Sequence, residues 1–321
     1  MLVGKEGFCD FHSIQEAVDA LERLPSGKAE TLYILAGIYE EAVRIYRSDL
    51  TIRGIGQVEI TNNRYARQKD VTGEEQGTFA TPTLFLGGSR LVLENLTLSN
   101  TAGQGTEIGQ ALAVYAHCDE TVFRNCILKG HQDTLFTGPL PPANKQGGAF
   151  GGIPLKERHN HYRQLYTHCY IEGTVDFIFG GATAYFEHCE IRSLRHYNDG
   201  PGYITAGSTP PGQPYGYLFK DCYLTADPNV DEVYLGRPWR GYAKTEMLNC
   251  RMGGHIHPSG WDNWEDPANE VTVRYREYGL AKDDPLRKQR VGWAILPDMG
   301  EEAPRKEQVF AGTDFWKVWK E

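Results

Sequence analysis

The chain is 321 residues long, which at about 150 residues per domain suggests two domains. With 40% hydrophobic and 23% charged residues it can bury a sizeable core, and 36 glycines and 18 tyrosines suit strands and turns better than helices. A net charge of −9 argues against nucleic acid or an anionic membrane as partner, and no apolar run approaches the roughly 18 residues of a spanning helix.

The first residues, Met1 to Gly7, hold no apolar stretch ahead of Lys5 and Glu6. No secretion signal is visible there, so a cytoplasmic protein is expected, the alternative being a secreted one whose signal has been removed. Ser13-Ile14-Gln15-Glu16 then reads as a capping box, with Ile14, Ala17, Val18 and Leu21 at helical spacing. A short amphipathic helix is predicted.

The 7 cysteines are odd in number and form no Cys-x-x-Cys pair, which speaks against a zinc ribbon or a complete disulfide framework. Five of them recur in one phrase. Phe123-Arg124-Asn125-Cys126-Ile127-Leu128 is repeated at Tyr166 to Ile171, Phe186 to Ile191, Phe219 to Leu224 and Met247 to Met252. Leu93 to Leu98 reads as an earlier copy with Asn95 in place of Cys. Each phrase runs apolar, polar, polar, Cys, any, apolar, as a short strand with one small inward residue does.

The cysteines lie 43, 20, 33 and 28 residues apart, as in a solenoid with loops inserted on some coils. A single-stranded parallel β-helix follows, all-β, with the cysteines stacked in its core and the predicted helix capping its first coil. Beyond about Trp261 the phrase stops. Trp264, Trp293, Phe315, Trp316 and Trp319 then predict a tail packed along the outside. The whole chain, 1–321, reads as one domain after all.

The repeat also places two acids in register. Asp133 and Asp176 each lie seven residues after a phrase cysteine, Cys126 and Cys169. Between them, residues 138–161 carry clustered prolines and two Gly-Gly pairs, which marks an inserted loop rather than a coil. Taking out about 22 residues leaves one ordinary period, and the two aspartates then fall on neighbouring coils, roughly 4.8 Å apart. Two carboxylates that close cannot both ionise freely. One stays charged and the other keeps a proton, the pairing that a nucleophile and a general acid require.

Four motifs stand around these residues in order: Gln110 to Val114, Gly130-His131-Gln132-Asp133-Thr134-Leu135, Gly173 to Gly180, and Leu235-Gly236-Arg237-Pro238-Trp239. Together they resemble the motif set of the pectin methylesterases (pectinesterases), over most of the chain. The resemblance implies a right-handed β-helix that hydrolyses galacturonate methyl esters in pectin or methylated oligogalacturonides, without cofactor or metal. It implies Asp176 as nucleophile and Asp133 as general acid and later base. Gln110 and Gln132 would then be oxyanion donors, Arg237 the partner that keeps Asp176 ionised, and Trp239 a sugar-stacking platform. Thr78 and Phe179 would be substrate contacts.

Other signals are weaker. His159 with His161, and His255 with His257, form His-x-His pairs without a third ligand nearby. Gly147 to Gly152 reads as a flexible loop, not a phosphate loop. Tyr197, Tyr203 and Tyr215 are candidates to line the cleft. Two other functions stay open: a β-helix lyase or polygalacturonase, and a non-catalytic uronide-binding solenoid. The inserted loop, emerging beside the aspartates, suggests a preference for short oligomers over polymeric pectin.

Overall fold

The computed structural model describes residues 1–25 and 27–317. Trp319 of the expected tail lies outside these. The strands coil into a right-handed parallel β-helix with three sheets along its length. One coil shows the plan. Arg163–Thr167 lies in the first sheet, Tyr170–Gly173 in the second and Val175–Gly180 in the third. The next coil repeats this with Thr183–Glu187, Glu190–Ser193 and Gly202–Gly207. Near the start, the long strand Leu50–Asn62 runs through two sheets, pairing with Ser89–Glu94 by its first residues and with Thr97–Asn100 by its last.

The recurring phrase is the corner between the first two sheets. The residue before each cysteine (Asn125, His168, His188, Asp221, Asn249) has φ between 51° and 54°, a left-handed bend that Asn and Asp tolerate best among non-glycine residues. Each cysteine turns inward and donates Sγ–H to the carbonyl of the apolar residue opening the phrase one coil earlier, at 3.4–3.5 Å. Beside that column the opening aromatics stack: Phe123 on Tyr166 at 4.6 Å, Tyr166 on Phe186 at 4.6 Å, and Phe186 on Phe219 at 4.5 Å. No cysteine among the described residues is in a disulfide. One detail of the expected repeat is displaced. Leu98 pairs with Leu128, so Leu96 occupies the cysteine column and Asn95 the bend.

The predicted helix spans Ile14–Glu22 and buries Ile14, Ala17, Val18 and Leu21 over the first coil. Its cap differs from the expected box. Ser13 Oγ does accept from Glu16 N, but the carboxylate that meets the exposed end is Glu41, which takes Ser13 Oγ, Ile14 N and Gln15 N at 2.8–2.9 Å. A negative charge there complements the unpaired N–H groups and the helix dipole.

At the other end the solenoid outlasts its phrase. Arg274–Tyr278 pairs with Lys244–Leu248 as a further rung of the first sheet, and Trp261 bridges to Gly236 of the third. Trp261 is buried there and donates Nε1–H to Glu277 at 2.9 Å, whose carboxylate is in turn paired with buried Arg290. The expected outer tail is therefore only part of the story. Val309, Phe310 and Phe315 do lie over the outer face of the first sheet, on Val122, Leu165, Tyr185 and Leu218. Trp293 instead packs near Tyr275 at the end of the core, and Trp264 enters the cleft described next.

Candidate active site

Side chains of the third sheet alternate between core and outer face, and one outer column runs Phe85, Tyr115, Phe136, Phe179, Ala206, Arg237 from strand to strand. Its aromatic part packs tilted or edge-on, at 5.0 Å for Phe85 with Tyr115, 4.9 Å for Tyr115 with Phe136 and 5.0 Å for Phe136 with Phe179. The last three members of that column, Phe179, Ala206 and Arg237, line a cleft of about 430 Å³ together with Thr78, Gln110, Gln132, Asp133, Asp176 and Trp239. All eight residues singled out from the sequence thus meet in one place.

Register explains the meeting. Ala111 N donates to Gln132 O at 3.2 Å, and Asp133 N to Val175 O at 3.1 Å, so the segments bearing Gln110, Gln132–Asp133 and Asp176 stack on successive coils. Residues 138–161 leave and return without shifting this order. Both aspartates have left-handed backbones, φ 65° at Asp133 and 51° at Asp176. Asp176 sits in a β-bulge between Val175 and Ile178, where an extra residue turns its carboxylate to the cleft while Phe177 fills the core. Gly173 is needed beside it, because a Cβ there would come within 2.2 Å of Phe177 Cβ.

Arg237 grips Asp176 with a two-pronged contact, Nε to Oδ1 at 2.8 Å and Nη2 to Oδ2 at 2.7 Å. It reaches there past Ala206, whose small side chain leaves the path open. The guanidinium lies between the rings of Tyr203 and Trp264, 3.8 and 3.9 Å from their centroids, which fixes its plane. Trp264 reaches inward from a bend in which both it and Glu265 have positive φ, with its N–H held by Asp262.

The two carboxyls are nearly buried, and burial pushes both above the ordinary carboxylate range. For Asp133 the charge of Asp176 adds to burial, and the carboxyl is held well above its usual value despite Arg237. For Asp176 the charge and hydrogen bonds of Arg237 oppose the burial, helped by Lys145. The asymmetry favours the proton on Asp133 and the charge on Asp176.

Around the pair, the side-chain amides of Gln110 and Gln132 make no hydrogen bond among the described residues and remain available as donors. Trp239 stands 5.7 Å from Phe179 and 5.8 Å from Phe150, ring centre to ring centre. Phe150 belongs to the inserted loop, which also brings Asn144 and Lys145 to the cleft. The glycine-rich stretch expected to be loose is tied down: Gly152 lies against the Phe79 backbone, and Ile153 N donates to Phe79 O at 3.0 Å.

Of the three tyrosines, only Tyr203 reaches the site. Tyr197 is half exposed beside Gln104, and Tyr215 packs with the apolar cluster on the outer face of the first sheet, under Arg274. His159 bonds Gly87 O, and His257 stacks on Tyr234. Lys145, Phe150 and Trp264 carry no signal in the repeat; each comes from a segment between or beyond the phrases.

Fold and site together define a parallel β-helix with a paired-aspartate cleft on the outer face of one sheet. The pectinesterase family model matches residues 1–140 and 158–316, and the chain belongs to the pectinesterase family. Pectinesterase 31 of Arabidopsis thaliana is 31% identical over 304 residues, covering 91% of this chain and 86% of the relative. Pectinesterase 2 of Citrus sinensis is 29% identical over 301 residues, covering 91% of this chain and 53% of the relative. Two further relatives from Arabidopsis thaliana are likewise longer, this chain spanning 60% and 53% of them. The solved pectin methylesterase from carrot aligns with a TM-score of 0.75 at 26% identity, over 93% of this chain and 87% of that one.

Proposed function

We propose that this chain hydrolyses the methyl esters of galacturonate in pectin or methylated oligogalacturonides, with Asp176 as nucleophile and Asp133 as general acid and then base. The observation that carries the reading is the asymmetric pair: one carboxylate clasped by Arg237, the other on the adjoining coil, where burial and the neighbouring charge hold it well above the usual carboxylate range.

Asp176 attacks the ester carbonyl, and charge gathers on the carbonyl oxygen. Gln110 and Gln132 supply neutral N–H donors for it, each worth roughly 2.7–4 kcal/mol when preorganised. A cation in that place would upset the carboxyl pair. Methoxide is a poor leaving group, so Asp133 gives up its proton as the C–O bond breaks and methanol departs. An anhydride now joins the substrate to Asp176. Ionised Asp133 takes a proton from water, the hydroxide adds to the substrate carbonyl, and Asp176 leaves as a carboxylate. The uronic acid then loses its proton to solvent, and Asp133 is protonated for the next cycle. Side chains and water supply every proton and electron pair. Arg237 favours the charged state of Asp176 at the start and end, while Thr78, Phe179 and Trp239 offer contacts for the sugar.

The test is incubation with methyl-esterified oligogalacturonides in the presence of EDTA, following methanol and chain length together. Methanol without shortened chains is expected; shortened chains would instead indicate a lyase or glycosidase. Asp176→Ala and Asp133→Ala should each nearly abolish methanol release in a folded protein. Near-normal activity in either variant refutes the assignment.

A further inference from the structure

Arg237 is held on both faces, and each face leads back to one segment of the chain. On one side lies Tyr203; Tyr234 stacks on Tyr203 at 5.3 Å, and His257 stacks on Tyr234 at 4.4 Å. On the other side lies Trp264, whose N–H is held by Asp262 at 2.7 Å. Asp262 N donates in turn to Gly236 O at 3.1 Å. Both jaws of the clamp therefore lean on residues 257–264, which run beside Val233–Pro238, the last strand of the third sheet.

A buried ion pair holds that segment from behind. Arg290 Nη1 donates to His257 O and Pro258 O at 3.3 and 2.9 Å, while its Nε and Nη2 fork onto the Glu277 carboxylate at 3.0 Å. Glu277 Oε1 also accepts Trp261 Nε1–H at 2.9 Å, and the Trp261 ring stacks on Tyr275 at 4.3 Å. Both charged side chains are only 1% exposed. The backbone is drawn tight over the guanidinium at Gly260, φ 73°, where a Cβ would meet Arg290 Cδ at 2.6 Å.

Two buried charges seldom stabilise a fold more than apolar side chains of the same size, because both lose their water. Closing the end of the core therefore does not require them. What they do supply is one geometry, a planar fork set between a carboxylate and two carbonyls.

We propose that Glu277 and Arg290 are positioning residues for Arg237, fixing residues 257–264 so that both jaws hold the guanidinium against Asp176. The inference rests on the de-esterification reading above. Neither residue lines the cleft. If their anchor slackens, Tyr203 and Trp264 no longer fix the guanidinium plane, and the two-pronged contact becomes one arrangement among several. The groups facing Asp176 are Arg237, Lys145, Asp262, Asp133, Tyr203 and Tyr275. Arg237 is the strongest of them in opposing the effect of burial on Asp176. A weaker grip raises the pH at which Asp176 ionises, and a reaction that needs its charge fails first on the acid side.

Three variants test this. Glu277→Met/Arg290→Met removes both charges together, so that neither is left unpaired in the core. Trp261→Phe deletes the N–H held by Glu277 and keeps a ring beside Tyr275. Phe186→Ala opens the aromatic stack of the corner phrases and controls for lost stability alone.

The first measurement is the titration of Asp176 by carbon NMR of aspartate-labelled protein, with Asp176→Asn to assign the signal; it needs no turnover. The double variant should titrate about one pH unit higher, a tenfold weaker hold on the charge. Trp261→Phe should move the same way by less, and Phe186→Ala should stay in place. The second is the pH profile of methanol release. Its acid limb should move with the titration, kcat below that limb falling about 10-fold in the double variant while KM holds.

An unmoved Asp176 titration in the folded double variant and in Trp261→Phe overturns the proposal, as does an equal shift in Phe186→Ala. If the double variant does not fold, Trp261→Phe decides alone. Absence of methanol with wild type would overturn the function instead, while the titration still decides the positioning.

Discussion

Asp133 and Asp176 differ in what surrounds them more than in what they are. Arg237 lies against one and not the other, and the proposed division into nucleophile and acid follows from that difference. Stability should report this asymmetry. The Asp133 carboxyl is raised in the folded chain, so between the ordinary carboxylate value, about 3.9, and its folded value the native state holds the extra proton. Folding stability contributed by this group is present below that range and is lost as pH rises through the folded value. Asp133→Asn removes the penalty. The variant should melt higher than wild type at pH 7, with the gap closing toward pH 4; a gap independent of pH would show that Asp133 is not held protonated. The sequence makes both aspartates legible, because they share an offset from cysteines that repeat. Trp264 and Tyr203, which hold the guanidinium, are not legible in the same way. Trp264 follows the last phrase and reaches inward only through a bend of two positive-φ residues.

Among the elements, the corner phrase carries most of the order. Its left-handed bend, inward cysteine and stacked aromatic recur on successive coils, so each strand is registered by side-chain columns as well as by backbone hydrogen bonds. Phe186, with Tyr166 on one side and Phe219 on the other, is the middle of that stack. Phe186→Ala should cost roughly 3–5 kcal/mol, read from the shift in denaturant midpoint at constant slope. A shift under about 1 kcal/mol would mean the column relaxes around the gap. The phrase was readable because its pattern repeats; the last rung, Arg274–Tyr278, was not, because it carries no cysteine. The helix was readable from its apolar spacing, but its true N-terminal partner, Glu41, lies too far along the chain for a local box to reveal.

Over the whole molecule, the solenoid supplies a fixed bed and the loops decide what can lie on it. The inserted loop contributes Asn144, Lys145, Phe150 and Gly151 to one side of the cleft. A ligand that must run past this wall pays for the detour, so kcat/KM per ester should be higher on methylated trimers and tetramers than on long pectin. Equal or higher values on the polymer would show that the wall is no obstacle. That a loop would emerge beside the aspartates was legible from proline and glycine; how it settles on Phe79 and Trp264 was not, since those contacts join segments with no common pattern.

The excursion departs after Thr137, which pairs with Gly180, and the chain resumes at Arg163, which pairs with Thr183. Both ends are clamped by one short stretch, residues 180–183, where one coil passes into the next. Length added there leaves the strand register of the other rungs unchanged, so selection can rewrite ligand preference by lengthening or trimming this one arm while the paired aspartates keep their places. A scaffold of this kind lets specificity drift without putting catalysis at risk.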